Sequence, residues 1–259
     1  DALPISRPEE EIQQVFEPDA KGINIDFGLS TMYVWRGLNI FQDNSQQDHN
    51  GLFAPSITWS IFDTGLSIGY WGAYQVNGES SKSNVDGGAG HEQDIFVSYN
   101  RGFLDDLLTL NVAFTYYFYP FADEDAAGTK VPSYIEPLSS LTISKYVDFT
   151  MTISYFIGLQ DATEEASFLY FNPYVGKSID LHDRYALELG LGFAYKMFTG
   201  PNSEIGEGDN RFDVVFDVSV PIQVTDVFYV APALHAGWTN LLRVAVPDNP
   251  NTPLIDESG

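Results

Sequence analysis

From about residue 22 onward, apolar and polar positions alternate with a period of two along most of the chain. That is the pattern of a half-buried β-strand, whose side chains point alternately to opposite faces. Over 107–119, Leu108, Leu110, Val112, Phe114, Tyr116 and Phe118 form one apolar face. The other face, Thr109, Asn111, Ala113, Thr115, Tyr117 and Tyr119, is small, polar or Tyr. The same alternation places Phe149, Met151, Ile153, Tyr155, Ile157 and Leu159 against Thr150, Thr152, Ser154, Phe156 and Gly158. In 185–197 the apolar series faces away from Glu188, Gly190, Gly192, Ala194 and Lys196, and in 212–222 it faces away from Asp213, Asp217 and Ser219. The pattern predicts eleven strands, at about 22–38, 51–62, 66–76, 92–103, 107–119, 134–144, 148–159, 167–181, 185–198, 211–224 and 227–240.

The connections decide between architectures. They alternate strictly between short ones (Asp63-Thr64-Gly65, Leu104-Asp105-Asp106, Lys145-Tyr146-Val147, His182-Asp183-Arg184, Thr225-Asp226) and long polar ones at 39–50, 77–91, 120–133, 160–166 and 199–210. A soluble sandwich mixes loop lengths at both ends. An up-and-down barrel of an outer membrane has tight turns at its periplasmic end and longer loops outside. The expected fold is therefore all-β, an antiparallel up-and-down transmembrane β-barrel with its apolar faces turned to lipid. The alternative is a soluble barrel or sandwich with the apolar face as its core. Tyr116, Phe118, Trp35, Trp59, Tyr74, Tyr99, Tyr185 and Trp238 fall near strand ends, as an interfacial girdle requires.

Eleven strands leave the first and last running in the same direction, whereas bacterial barrels use even numbers. An open edge in lipid strands backbone hydrogen-bonding groups. About twelve strands are therefore expected, the last, descending one being absent from this sequence. Residues 22–259 form the barrel. Residues 1–21 form a periplasmic N-terminal tail, in which Ser6 and Glu9 have capping-box spacing and Ile12, Val15 and Phe16 share a face, so the tail is either a short helix or disordered.

Composition narrows the function. The 259 residues carry a formal net charge of −24, which excludes nucleic acid as a partner. With no Cys there is no disulfide, thiolate metal site or cysteine nucleophile. No apolar run is long enough for a transmembrane helix. The chain begins at Asp1 and reads as a mature, processed form of an exported protein.

Several segments together resemble the proteobacterial TorF-like (Gcw_chp) outer-membrane porin family. They are YVWRGLNIFQD (Tyr33–Asp43), GLFAPSITWSIFDTGLSIGYWGAY (Gly51–Tyr74), EQDIFVSYNRGF and LLTLNVAFTYYFYP. The match covers about residues 30–120; later strands match in pattern only. The resemblance implies an outer-membrane barrel of about twelve strands with a porin role. It carries no site residues beyond a structural Arg36-Gly37.

Strand parity gives the candidate chemistry. Inward positions include Asp26, Arg36, Asp94, Glu136, Glu188, Lys196, Arg211, Asp213, Asp217 and His235. Opposed charges across a lumen set ion preference; the same charges as salt bridges brace a filled barrel. Inward Trp71, Phe96, Tyr117, Tyr119, Phe156, Phe168, Tyr170, Tyr174 and Tyr229 narrow any passage, so an open pore and a gated or filled barrel both fit. A three-residue turn at 224–226 pairs Gln223 with Val227 and sets Asp213 and Asp217 diagonally beside His235. We read this as a lumen salt bridge, because Ser219 is not placed as a nucleophile. No catalytic residue, metal site or cofactor is expected, and the chain is not read as an enzyme. The expected partners are outer-membrane lipid and lipopolysaccharide, with a protein partner held through the N-terminal tail or outer loops. The acidic loop groups Asp123-Glu124-Asp125, Asp161 with Glu164-Glu165, and Glu204, Glu207 and Asp209 read mainly as solvated charge. The functional expectation is a small channel for ions or small solutes, with a structural barrel of filled lumen as the alternative.

Overall fold

A computed structural model describes residues 22–36, 38–39, 41, 50–76, 92–119, 133–159, 167–199, 210–225 and 228–239. The expected N-terminal helix, the twelfth strand, the long polar connections and their acidic groups lie outside these residues. The strands are β1 (Gly22–Ser30), β2 (Val34–Trp35), β3 (Leu38–Asn39), β4 (Leu52–Ile61), β5 (Leu66–Gln75), β6 (Glu92–Phe103), β7 (Leu108–Phe118) and β8 (Tyr134–Ser144). They continue as β9 (Asp148–Gly158), β10 (Phe168–His182), β11 (Tyr185–Phe198), β12 (Asn210–Ser219), β13 (Ile222–Thr225), β14 (Phe228–Val230) and β15 (Ala233–Thr239). Among the described residues no helix is long and apolar enough to cross a membrane.

The sheet is antiparallel and up-and-down, in the order β1-β4-β5-β6-β7-β8-β9-β10-β11-β12-β15, with β13 and β14 extending the last hairpin. It is curled into a barrel-like form. Arg36, just past β2, touches β8 and β9, and its carbonyl accepts a bond from β11. Among the described residues no backbone ladder joins β1 to β15. The two margins approach where the Tyr229 hydroxyl of β14 donates to Asp26 Oδ1 of β1 over 3.3 Å.

The alternation sorts the faces as the sequence predicts. Phe114 and Ile153 on the convex side are 48% and 45% exposed, whereas Asn111 and Thr152 on the concave side are 7% and 2% exposed. Buried glycines make room for large inward rings. Gly69 lies opposite Phe96 in the β5–β6 ladder, and a Cβ there would collide with that ring. Gly65 turns the chain at φ 77° after the Phe62–Thr64 turn, a left-handed position that glycine adopts at little cost.

Two expectations are corrected. The first strand does not run to residue 38 but ends at Ser30, whose hydroxyl donates to the Met32 carbonyl at 2.8 Å. Residues 31–36, 38–39 and 41 lie off the main sheet, the small β2–β3 ladder being their only strand pairing among the described residues, and Tyr33, Trp35 and Phe41 among them pack into the interior. The last hairpin is interrupted at Val220-Pro221 and Ala231-Pro232, because proline cannot donate to a ladder. Its register also differs: Gln223 faces Tyr229, not Val227, and Asp217 faces His235 directly. The hairpin closes further along the chain than the spacing argument places it, at Thr225 opposite Phe228, and a register shift lies between Gln223 and Thr225.

Candidate functional site: the lumen and its inserted segment

The interior is built by two layers of rings under the inserted segment. Tyr33 and Phe41 pack with Leu52, Ala54, Trp71 and Ala73 on the β4–β5 side. Trp35 packs with Phe156 and Phe168, at ring separations of 5.0 and 6.0 Å. Trp35 is therefore an interior ring and not part of an exposed girdle. The segment is tied down at both ends: Asn50 Nδ2 donates to the Phe41 carbonyl at 2.6 Å, and the Tyr33 hydroxyl donates to Glu92 Oε1 at 3.1 Å.

Arg36 is the centre of this arrangement. Its backbone has φ 47°, a left-handed conformation uncommon outside glycine. Only 4% exposed, its guanidinium forms an ion pair with Glu136, and Nη2 also donates to Ser154 Oγ at 3.4 Å. The guanidinium carbon lies 4.6 Å from the Trp35 ring centre and 4.2 Å from that of Tyr170. Such cation–π contacts strengthen where water is excluded. Glu136 Oε2 in turn accepts the Tyr117 hydroxyl at 2.5 Å. The Lys196 ammonium donates to the Arg36 carbonyl and pairs with Asp213 at 2.7 Å. One arginine thus binds the inserted segment to β8 and β9, while its carbonyl is held from β11.

A second cluster lies nearer the short turns. His235 Nδ1 sits 2.8 Å from Asp217 Oδ1, and Asp217 Oδ2 accepts the Tyr174 hydroxyl at 3.0 Å. Tyr174 reaches across β11 because Gly190 and Gly192 leave that surface bare; a Cβ on Gly190 would collide with its hydroxyl. Ser219 Oγ donates to Glu188 Oε2 at 2.6 Å, so this hydroxyl is engaged by a carboxylate and not by the histidine.

The structure thus joins Arg36 with Glu136, Lys196 with Asp213, and Asp217 with His235. Asp213 is not beside His235 as expected: it faces Thr239 in the ladder and its partner is Lys196. Arg211 stands opposite Lys196 in the β11–β12 ladder. Glu188 is held by Ser219. Asp94 is wholly buried, and among the described residues only the Glu92 carboxyl lies within hydrogen-bonding reach of its carboxyl oxygens. Sequence parity also implies an inward Glu92, two residues before Asp94, which the candidate set omitted. It accepts the Tyr119 hydroxyl at 3.4 Å in addition to that of Tyr33. Among the described residues, no three or more His, Asp or Glu side chains group to hold a metal ion.

No profile of a known protein family matches the chain, and no curated protein sequence matches it significantly. The likeness to the TorF-like family therefore rests on the quoted motifs.

Proposed function

We propose that the chain is an outer-membrane β-barrel, of the kind the TorF-like resemblance implies, passing small cations or solutes through a lumen constricted by Tyr33, Trp35, Arg36 and Phe41. The observation that carries this reading is the inverted placement of side chains. Large apolar residues such as Phe27, Ile95, Val112, Met151, Leu191 and Phe216 stand exposed around the convex face. Arg36, Asp94, Glu136, Glu188, Lys196, Asp213 and Asp217 are buried within it. Soluble domains rarely expose contiguous apolar patches beyond a few hundred Å² and almost never bury so many ionisable groups. Lipid as the outer solvent accounts for both at once. Lipid and lipopolysaccharide are then the surrounding partners, and the tail before Gly22 is periplasmic.

Acidic groups outnumber basic ones in the lumen, which favours cations over anions. In planar bilayers the purified protein is expected to give small single-channel steps with a reversal potential on the cation side in a salt gradient. Freeing the inserted segment with Arg36→Met is expected to enlarge the steps. The packing of Trp35 against Phe156 and Phe168 favours a second reading, a structural barrel with a filled lumen. Silence at every voltage, in both the wild type and Arg36→Met, would select that second reading.

A further inference from the structure

Pairing the buried charges leaves a remainder. Arg36 balances Glu136, Lys196 balances Asp213, and His235 lies against Asp217. Among the described residues Glu92 and Asp94 have no basic partner; nor has Glu188, which Ser219 holds. Glu92 and Asp94 are successive inward positions of β6, 4% and 0% exposed, and the carboxylates of Glu92 and Glu136 both bear electrostatically on Asp94. Tyr33 and Tyr119 donate to Glu92, holding its carboxylate in place. The carboxyl groups of Glu92 and Asp94 lie within hydrogen-bonding reach of each other, and among the described residues no other group donates to either Asp94 oxygen. A buried carboxylate without a counter-charge is strongly unfavourable, so something of opposite charge belongs beside it.

We propose that Glu92 and Asp94 form a binding site for one hard divalent cation of the calcium class. Two carboxylates balance a divalent charge, and an all-oxygen set suits a hard ion and not a soft one. Two acidic ligands do not complete a protein cage, so the ion keeps water in the rest of its shell. The site lies between the β5–β7 wall, where Trp71 and Tyr117 flank Asp94 in the ladders, and Tyr33 of the inserted segment. Occupancy therefore steadies the inserted segment through Tyr33, adding to the hold that Arg36 has on it. The site does not depend on whether the lumen conducts, and its test uses ion binding and thermal stability, not conductance.

The test is terbium titration of the full chain folded in detergent at pH 8, reading luminescence sensitised by indole excitation of neighbouring Trp71, with calcium as competitor. The expected result is one saturable site displaced by calcium. Its affinity falls at least tenfold in Asp94→Asn and in Glu92→Gln, and is unchanged in Asp148→Asn at the first position of β9. Asp94→Asn, which removes an unpaired charge, is also expected to raise the melting temperature measured without ions while abolishing the calcium-induced rise. Absence of a saturable signal at pH 8 would overturn the proposal and leave protons as the neutralising species. So would equal binding in the wild type and in whichever of the two lumen variants folds.

Discussion

Removing the guanidinium of Arg36 tests the interior most sharply. Arg36→Met keeps a long apolar stem and the backbone carbonyl that Lys196 binds, so the change isolates the charge. Glu136 is 3% exposed and would keep only the Tyr117 hydroxyl as donor among its described bonds. Breaking a buried pair from one side costs about 3–5 kcal/mol, because the surviving charge is left unmatched. Glu136→Gln is milder, about 1–3 kcal/mol, since the amide oxygen still accepts and the rings of Trp35 and Tyr170 still face the cation. The double variant removes both charges, so it costs less than the sum of the singles by about 1–3 kcal/mol. Reversible urea unfolding of the four proteins, refolded into lipid vesicles and followed by tryptophan fluorescence, gives the cycle. Additivity within about 0.5 kcal/mol would refute the pairing.

Two further expectations follow from the same interior. Gly190→Ala pushes a methyl into the Tyr174 hydroxyl and parts it from Asp217, costing about 1–3 kcal/mol by urea midpoint; an unchanged midpoint would mean Tyr174 does not lie over β11. Lys196→Met orphans Asp213, 1% exposed, and destabilises by about 3–5 kcal/mol, while adding Asp213→Asn restores most of the loss; no recovery would show that the two charges are not paired.

The faces of the sheet were legible in the sequence because a strand's period is two and each face meets one solvent. Asn111, Thr152 and Asp217 fell on the inner side with no knowledge of tertiary structure. The inserted segment was not legible. Odd positions continue from Ile25, Phe27 and Leu29 through Tyr33 and Trp35, so aromatic content alone extends β1 outward past its true end. What turns the chain inward is a set of contacts between residues far apart in sequence, Arg36 with Glu136 and Lys196 with the Arg36 carbonyl. No local pattern encodes those. The His235 register failed for a local reason: turn length sets hairpin register, and residue spacing alone does not fix where a turn closes. Glu92 was overlooked although parity marks it, because it stands at the first position of β6.

The outward orientation of the apolar face is the claim on which the membrane reading stands, and a chain without cysteine allows it to be measured cleanly. Single cysteines at Met151, Thr152 and Ile153, each carrying the same fluorophore, are to be compared in vesicles of ordinary and brominated lipid. The account predicts strong quenching at the first and third positions and little at the second. Equal quenching at all three, or quenching confined to position 152, would contradict it.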